Sequence, residues 1–135
     1  MQELHAQVWK STPFTIERKD GKAPGTVIFR LSGPFTARDM FGTLAPIGLL
    51  NILSFQSTPS EDLPALNILD LTDVPYMDST GLGRVISHYV HCQGKGVRMV
   101  VAGASPRVLE LFKLTKVDST IPMAATVEEA DTEFS

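Results

Sequence analysis

The chain has 135 residues, with 12 Lys+Arg against 15 Asp+Glu, and a formal net charge of −3 with histidines neutral. That length fits one domain, large enough to bury a core without covalent staples. Hydrophobic residues make up 43% and charged residues 20%, which excludes a disordered tail or a collagen-like repeat. The mild acidity gives no electrostatic basis for direct nucleic-acid binding. The single cysteine, Cys92, excludes an intrachain disulfide. Residues 1–10 show no export-signal pattern, so a reducing, cytoplasmic setting is expected.

Residues 1–13 are mixed in character and are expected to be loosely ordered, with Trp9 as a packing anchor. Residues 14–18 read as a first short strand, and residues 19–25 are rich in turn formers. Residues 26–31 are β-branched and apolar, a second strand that pairs with the first as a hairpin. Thr36 has the chemistry to cap a helix running through Ala37, Arg38 and Asp39, kinked or ended by Pro46. Residues 41–55 carry no charge. A membrane span needs about 20 predominantly apolar residues, so this shorter, Gly- and Pro-interrupted run predicts a buried or partner-facing helix. Residues 57–64 form a polar surface loop with two prolines.

Residues 66–71 are a compact apolar run, as expected of a parallel strand buried on both faces. A helix is expected after Asp78. Leu82, Val85, Ile86 and Tyr89 recur at helical spacing as its buried stripe, with Arg84, Ser87, His88 and His91 opposite. The run Gln93-Gly94-Lys95-Gly96 is a glycine stop. Residues 97–102 read as another strand, and Ser105-Pro106 as a cap followed by proline at the first helical position. That helix buries Val108, Leu111 and Phe112. Residues 120–123 are a last short strand and residues 126–130 a short acidic helix. Strands alternate with helices after Leu66, so the class is α/β: four to five strands in a mixed sheet with helices packed on it.

The informative segment is Asp78-Ser79-Thr80-Gly81-Leu82-Gly83, at a helix start. Asp, Ser and Thr cap helix N-termini, free amides there favour anions, and glycine permits close approach of another backbone. On the spacing alone, an ordinary N-cap with a packing glycine is the better explanation of the run. Other signals carry less. Residues 94–96 end a helix and lack P-loop spacing. His88, His91 and Cys92 fall short of a metal set and read as two solvated histidines beside a cysteine at the edge of the stripe. Ser79 has no nucleophile elbow, so no catalytic residue is assigned. Asp70 is expected to orient the loop after its strand. No pattern implies a cofactor.

Residues 69–71, a short linker and residues 77–83 resemble the STAS domain of anti-sigma factor antagonists and sulphate transporters. The resemblance continues through residues 98–103, Ser105-Pro106, Val108, Leu111-Phe112 and Leu114, closely over residues 66–130 and more loosely over 26–33. It implies a STAS-like domain at 14–130, with a tail at 131–135. It implies a non-catalytic switch in which Ser79 is phosphorylated by an anti-sigma factor with serine kinase activity and reset by a serine phosphatase. The unphosphorylated form binds the anti-sigma factor and frees a sigma factor. Asp78, Thr80, Gly81 and Leu82, with Gly33, Pro34, Phe35 and Thr36, form the expected partner surface. Antagonists carry an acidic loop where this chain has residues 33–36, with no acid until Asp39; Phe35 is therefore expected to enlarge an apolar contact. Residues 41–64 are longer and more apolar than the family's first helix and its connection, which suggests an extra surface or a homodimer interface. The alternative is a STAS scaffold or cytoplasmic transporter subunit with a structural interface.

Overall fold

The computed structural model describes residues 14–38 and 60–134. Among them, five strands form one sheet in the order β1-β2-β3-β4-β5. They are β1 (Thr15–Asp20), β2 (Thr26–Ser32), β3 (Leu66–Asp73), β4 (Arg98–Ala102) and β5 (Met123–Ala124). β1 and β2 are antiparallel, and every other pairing is parallel. Three α-helices are described: α1 (Ser79–Lys95), α2 (Pro106–Leu114) and α3 (Val127–Glu133). The expected hairpin, central strand and α/β alternation are all present. Of the helix expected over residues 36–55, residues 37 and 38 are described and are helical; the rest of it, the apolar run 41–55 and Trp9 lie outside the described residues.

Side chains alternate across the sheet because successive Cβ atoms point to opposite faces. Phe29, Leu31, Leu69, Leu71, Met99 and Val101 face α1 and α2, in a core that includes Val85, Cys92, Val108 and Phe112. Ile28, Ile68, Val100 and Ala102 face the other way and pack with Ala130 of α3. Strands buried on both faces explain why β3 is apolar at Leu66, Ile68, Leu69 and Leu71, on both sides of the sheet.

Several boundaries follow the sequence closely. Ser105 caps α2 by accepting from the Val108 amide, with Pro106 as its first residue. Gly96 ends α1 in the left-handed conformation, φ 75°. Others differ. β1 starts at Thr15 and runs through Asp20. Phe14 instead turns into the core, 1% exposed. The last strand is Met123–Ala124, two residues long, while Ile121 packs in the core. α3 runs to Glu133 with Asp131 buried, so residues 131–133 are helix and not the expected tail. Asp131 accepts from the Lys22 amide (2.8 Å), which ties α3 to the β1–β2 turn.

The helical stripe of α1 is a further correction. Ile86 is 37% exposed and Tyr89 only part-buried, whereas His88 is 3% exposed and Cys92 fully buried. The inward stripe is thus Leu82, Val85, His88 and Cys92. His88 is not solvated, because β3 supplies a partner. The Asn67 Nδ2 donates to the Val27 carbonyl (3.0 Å), which leaves Asn67 Oδ1 to accept from His88 Nε2 (2.6 Å). Cys92 Sγ stands 3.6 Å from the same ring nitrogen. A buried polar group satisfied in this way is compatible with a core position.

Candidate functional site

The C-terminal ends of β2 and β3 lead into two loops that are stitched together. The Gly33 amide donates to the Asp73 carbonyl (2.9 Å) and the Phe35 amide to the Tyr76 carbonyl (3.0 Å). Phe35 and Met77 form a parallel bridge that carries the β2–β3 pairing past the strands themselves. On the outside, Arg30 and Asp73 form an exposed ion pair; the Asp73 carboxylate raises the Arg30 pKa further above its ordinary value. Asp70 accepts from the Thr72 amide (2.9 Å), in keeping with its expected orienting role.

Both loops end on Asp78, the N-cap of α1. Asp78 Oδ1 accepts from the Gly81 amide (3.0 Å) and Oδ2 from the Ala37 amide (3.1 Å). The Ala37 amide belongs to the segment expected to start a helix after Thr36. One carboxylate therefore fastens the start of α1 and the loop after β2. Capping bonds of this type contribute about 0.5–2 kcal/mol each.

Glycine at 81 is required by this closeness. A Cβ there would stand 2.0 Å from the Phe35 carbonyl oxygen, below any real contact distance. Phe35 is fully buried and its ring stacks on Phe14, centroids 4.8 Å apart at 8°. Its side chain thus belongs to the core, and the expected apolar contribution of Phe35 to a partner contact is not available from its ring. The physical reason is that Phe14, one residue before β1, offers a flat face to cover.

Of the expected site residues, Ser79 is exposed at the first position of α1. Asp78 and Thr80 are half-buried, as are Gly33 and Thr36, while Pro34, Gly81 and Leu82 are buried. The structure brings the two expected segments together, but it divides them into a surface set and a set that shapes the surface from beneath. Tyr76, not singled out from sequence, borders this site. The Arg107 guanidinium of α2 lies 4.9 Å from its ring centroid, a cation–π contact. The pairing of Tyr76 with Arg107 joins residues 31 positions apart, and no local sequence pattern announces it.

A mixed five-stranded sheet with α1 starting at an Asp-Ser-Thr-Gly cap next to the β2 loop defines a small α/β fold. The STAS domain family model matches residues 51–130, more than half of the chain, and the chain belongs to that family. A curated relative, the anti-sigma-B factor antagonist of Listeria monocytogenes, is 38% identical over 53 residues. That stretch covers 39% of this chain and 46% of the relative, so the match spans about half the relative's length. Among solved structures, an anti-sigma factor antagonist from Mycobacterium paratuberculosis superposes with TM-score 0.62 at 20% identity, covering 87% of this chain and 90% of that one. The STAS domain of a SulP transporter from Vibrio cholerae superposes with TM-score 0.66 at 19% identity, covering 82% and 80%. Both likenesses establish the fold. No described helix is long and apolar enough to cross a membrane.

Proposed function

We propose that this chain is an anti-sigma factor antagonist whose Ser79 hydroxyl is the phosphate acceptor of a partner-binding switch. The observation that carries the reading is the exposed Ser79 beside a cap whose two carboxylate oxygens are both engaged internally. A phosphate there adds about −1.5 to −2 charges at neutral pH. The N-terminus of a 17-residue helix favours that charge, so the domain tolerates it. The cost falls on the interface, through bulk and through repulsion from Asp78 and any acidic partner group. A clash of that kind costs on the order of a few kcal/mol, a tenfold to thousandfold change in affinity.

In this reading the unphosphorylated chain holds an anti-sigma factor with serine kinase activity, and a serine phosphatase restores that form. Gly33, Thr36, Asp78, Ser79 and Thr80 supply the contacts. Pro34, Phe35, Gly81 and Leu82 shape them from beneath. The chain itself catalyses nothing and acts in the cytoplasm. The test is capture of partners from native lysate on tagged wild type, Ser79→Ala and Ser79→Asp. Ser79→Ala is expected to retain a serine kinase that Ser79→Asp loses. Equal retention by both variants contradicts the switch.

A second reading is a STAS subunit with a permanent interface. It is favoured by three exposed large apolar side chains, Ile86, Val90 and Leu114, which a monomeric regulatory surface does not need. In that case all three baits bring down one assembly.

A further inference from the structure

β1 is an edge strand: β2 pairs with one side of it, and among the described residues nothing pairs with the other. Its six residues, Thr-Ile-Glu-Arg-Lys-Asp, are exposed apart from the half-buried Ile16. The opposite edge of the sheet, β5, is only two residues long. An exposed edge of the length of β1 presents unpaired amides and carbonyls that can receive another strand.

The hydrogen bonding shows which groups these are. In an antiparallel pair, opposite residues alternate between exchanging backbone hydrogen bonds and exchanging none. The β1–β2 register runs on from Asp20 and Val27 to Gly21 and Thr26, where the Gly21 amide donates to the Thr26 carbonyl (2.8 Å). Odd-numbered residues of β1 therefore turn their backbone groups toward β2. The far side of β2 agrees, because the odd positions at its two ends bond toward β3. The Gly25 carbonyl accepts from the Leu66 amide (3.2 Å), and the Gly33 amide donates to the Asp73 carbonyl (2.9 Å). Ile16, Arg18 and Asp20 thus direct their amides and carbonyls outward.

Charge and symmetry select the occupant. Two identical strands paired antiparallel are related by a two-fold axis, so a residue at the centre lies opposite its own copy. Centred on Arg18, five of the six residues of β1 are paired. Glu17 then faces Lys19 of the second copy, and this happens twice. Both pairs fall at positions without backbone hydrogen bonds, where facing side chains stand closest. Arg18 meets its own copy at the wider spacing, with Asp20 of the second copy diagonal to it. Centring on Glu17 instead sets Glu17 against itself at the close spacing. Centring on Lys19 does the same to Lys19 and pairs fewer residues. A charged edge usually keeps other chains away. This one carries two charges of each sign, in an order that complements itself.

We propose that β1 pairs antiparallel with β1 of a second copy of this chain, centred on Arg18, which joins two five-stranded sheets into one. Ile16, Arg18 and Asp20 of both copies exchange the backbone hydrogen bonds, and Glu17 and Lys19 set the register. A stable interface uses about 20–30 residues a side, so this shorter contact makes a weak dimer, with Kd on the order of 10–1000 μM. The pairing is independent of the Ser79 reading.

Sedimentation of the full chain from about 10 μM to about 1 mM is expected to show a monomer–dimer equilibrium. The Ile16, Arg18 and Asp20 amides gain protection from hydrogen exchange at the high end. Arg18→Pro removes an outward amide and leaves the β1–β2 ladder intact, as proline on an edge strand does. It is expected to abolish the dimer with little change in the thermal midpoint of the dilute protein. Lys19→Glu sets like charges opposite each other twice and is expected to weaken the dimer about tenfold. Within the chain Lys19 lies opposite Ile28, so the fold itself gains no facing like charge. Adding Glu17→Lys to Lys19→Glu is expected to restore the dimer, a rescue that damage to the fold would not show. A chain that stays monomeric over the whole range overturns the proposal. So does a dimer indifferent to Arg18→Pro, or a double charge swap that fails to rescue. Protection of the three amides at every concentration also overturns it, because it assigns the edge to residues 1–13 of the same chain.

Discussion

The Gly81 Cα faces the Phe35 carbonyl so closely that a side chain at 81 would stand 2.0 Å from that oxygen. This contact, with the Asp78 carboxylate bridging the Gly81 and Ala37 amides, holds the two loops of the site in one geometry.

Two glycines in the first turns of α1 therefore answer alanine in opposite directions. Gly81→Ala forces the Phe35 backbone away and is expected to destabilise the fold by about 1–3 kcal/mol, as overpacking does. Gly83→Ala meets open space and is expected to stabilise by about 0.5–1 kcal/mol, the ordinary cost of glycine inside a helix. Urea midpoints at unchanged slope check both. Destabilisation by both would place Gly83 against something not seen on its open side.

Asn67 links β3 to the helix that carries Ser79, through the His88 ring. Asn67→Leu removes the acceptor of His88 Nε2 and the donor to the Val27 carbonyl. A loss of about 1–3 kcal/mol is expected from the stranded polar groups, although the substitution adds apolar surface. Thermal unfolding reads this directly, and a neutral or stabilising result contradicts a structural role for the pair.

Burial pushes the Cys92 thiol up to about 12. The native thiol therefore stays protonated and unreactive, since the thiolate is the nucleophile. Alkylation at pH 8 is expected only on unfolding. The pH dependence has a definite sign. A folded pKa above the unfolded value stabilises the fold fully below the unfolded pKa of about 8.5, and that contribution is lost as pH rises toward 12. Between those limits the loss approaches about 1.4 kcal/mol per pH unit from this group. The difference in stability between wild type and Cys92→Ala should shrink over that range; a constant difference contradicts the burial.

Where backbone chemistry decides structure, the sequence was legible. Asp78 and Ser105 as caps, Pro106 at the start of α2 and Gly96 at the end of α1 are local signals, and each sits where expected. The site's two segments could be named but not sorted, because the burial of Phe35 depends on Phe14, distant in sequence. The phase of α1 departs from its apolar pattern for a similar reason. Polar type argued that His88 faces solvent and apolar type that Ile86 faces inward, yet a partner on β3 reverses both. A signal did exist: Asn67 is the lone polar residue early in a strand buried on both faces, and such a residue requires a buried partner. The Arg107 contact with Tyr76 crosses from one loop to another helix and left no local trace.

The most direct test of the Ser79 switch is phosphosite mapping by mass spectrometry on the tagged chain recovered from its native cells. The account predicts phosphate on Ser79 in a fraction of the protein, none at that site in Ser79→Ala, and no kinase bound to the phosphorylated fraction. Phosphate confined to Thr80, or a chain that is never modified while its partner stays bound, would contradict it and leave Asp78-Ser79-Thr80 as a helix cap alone.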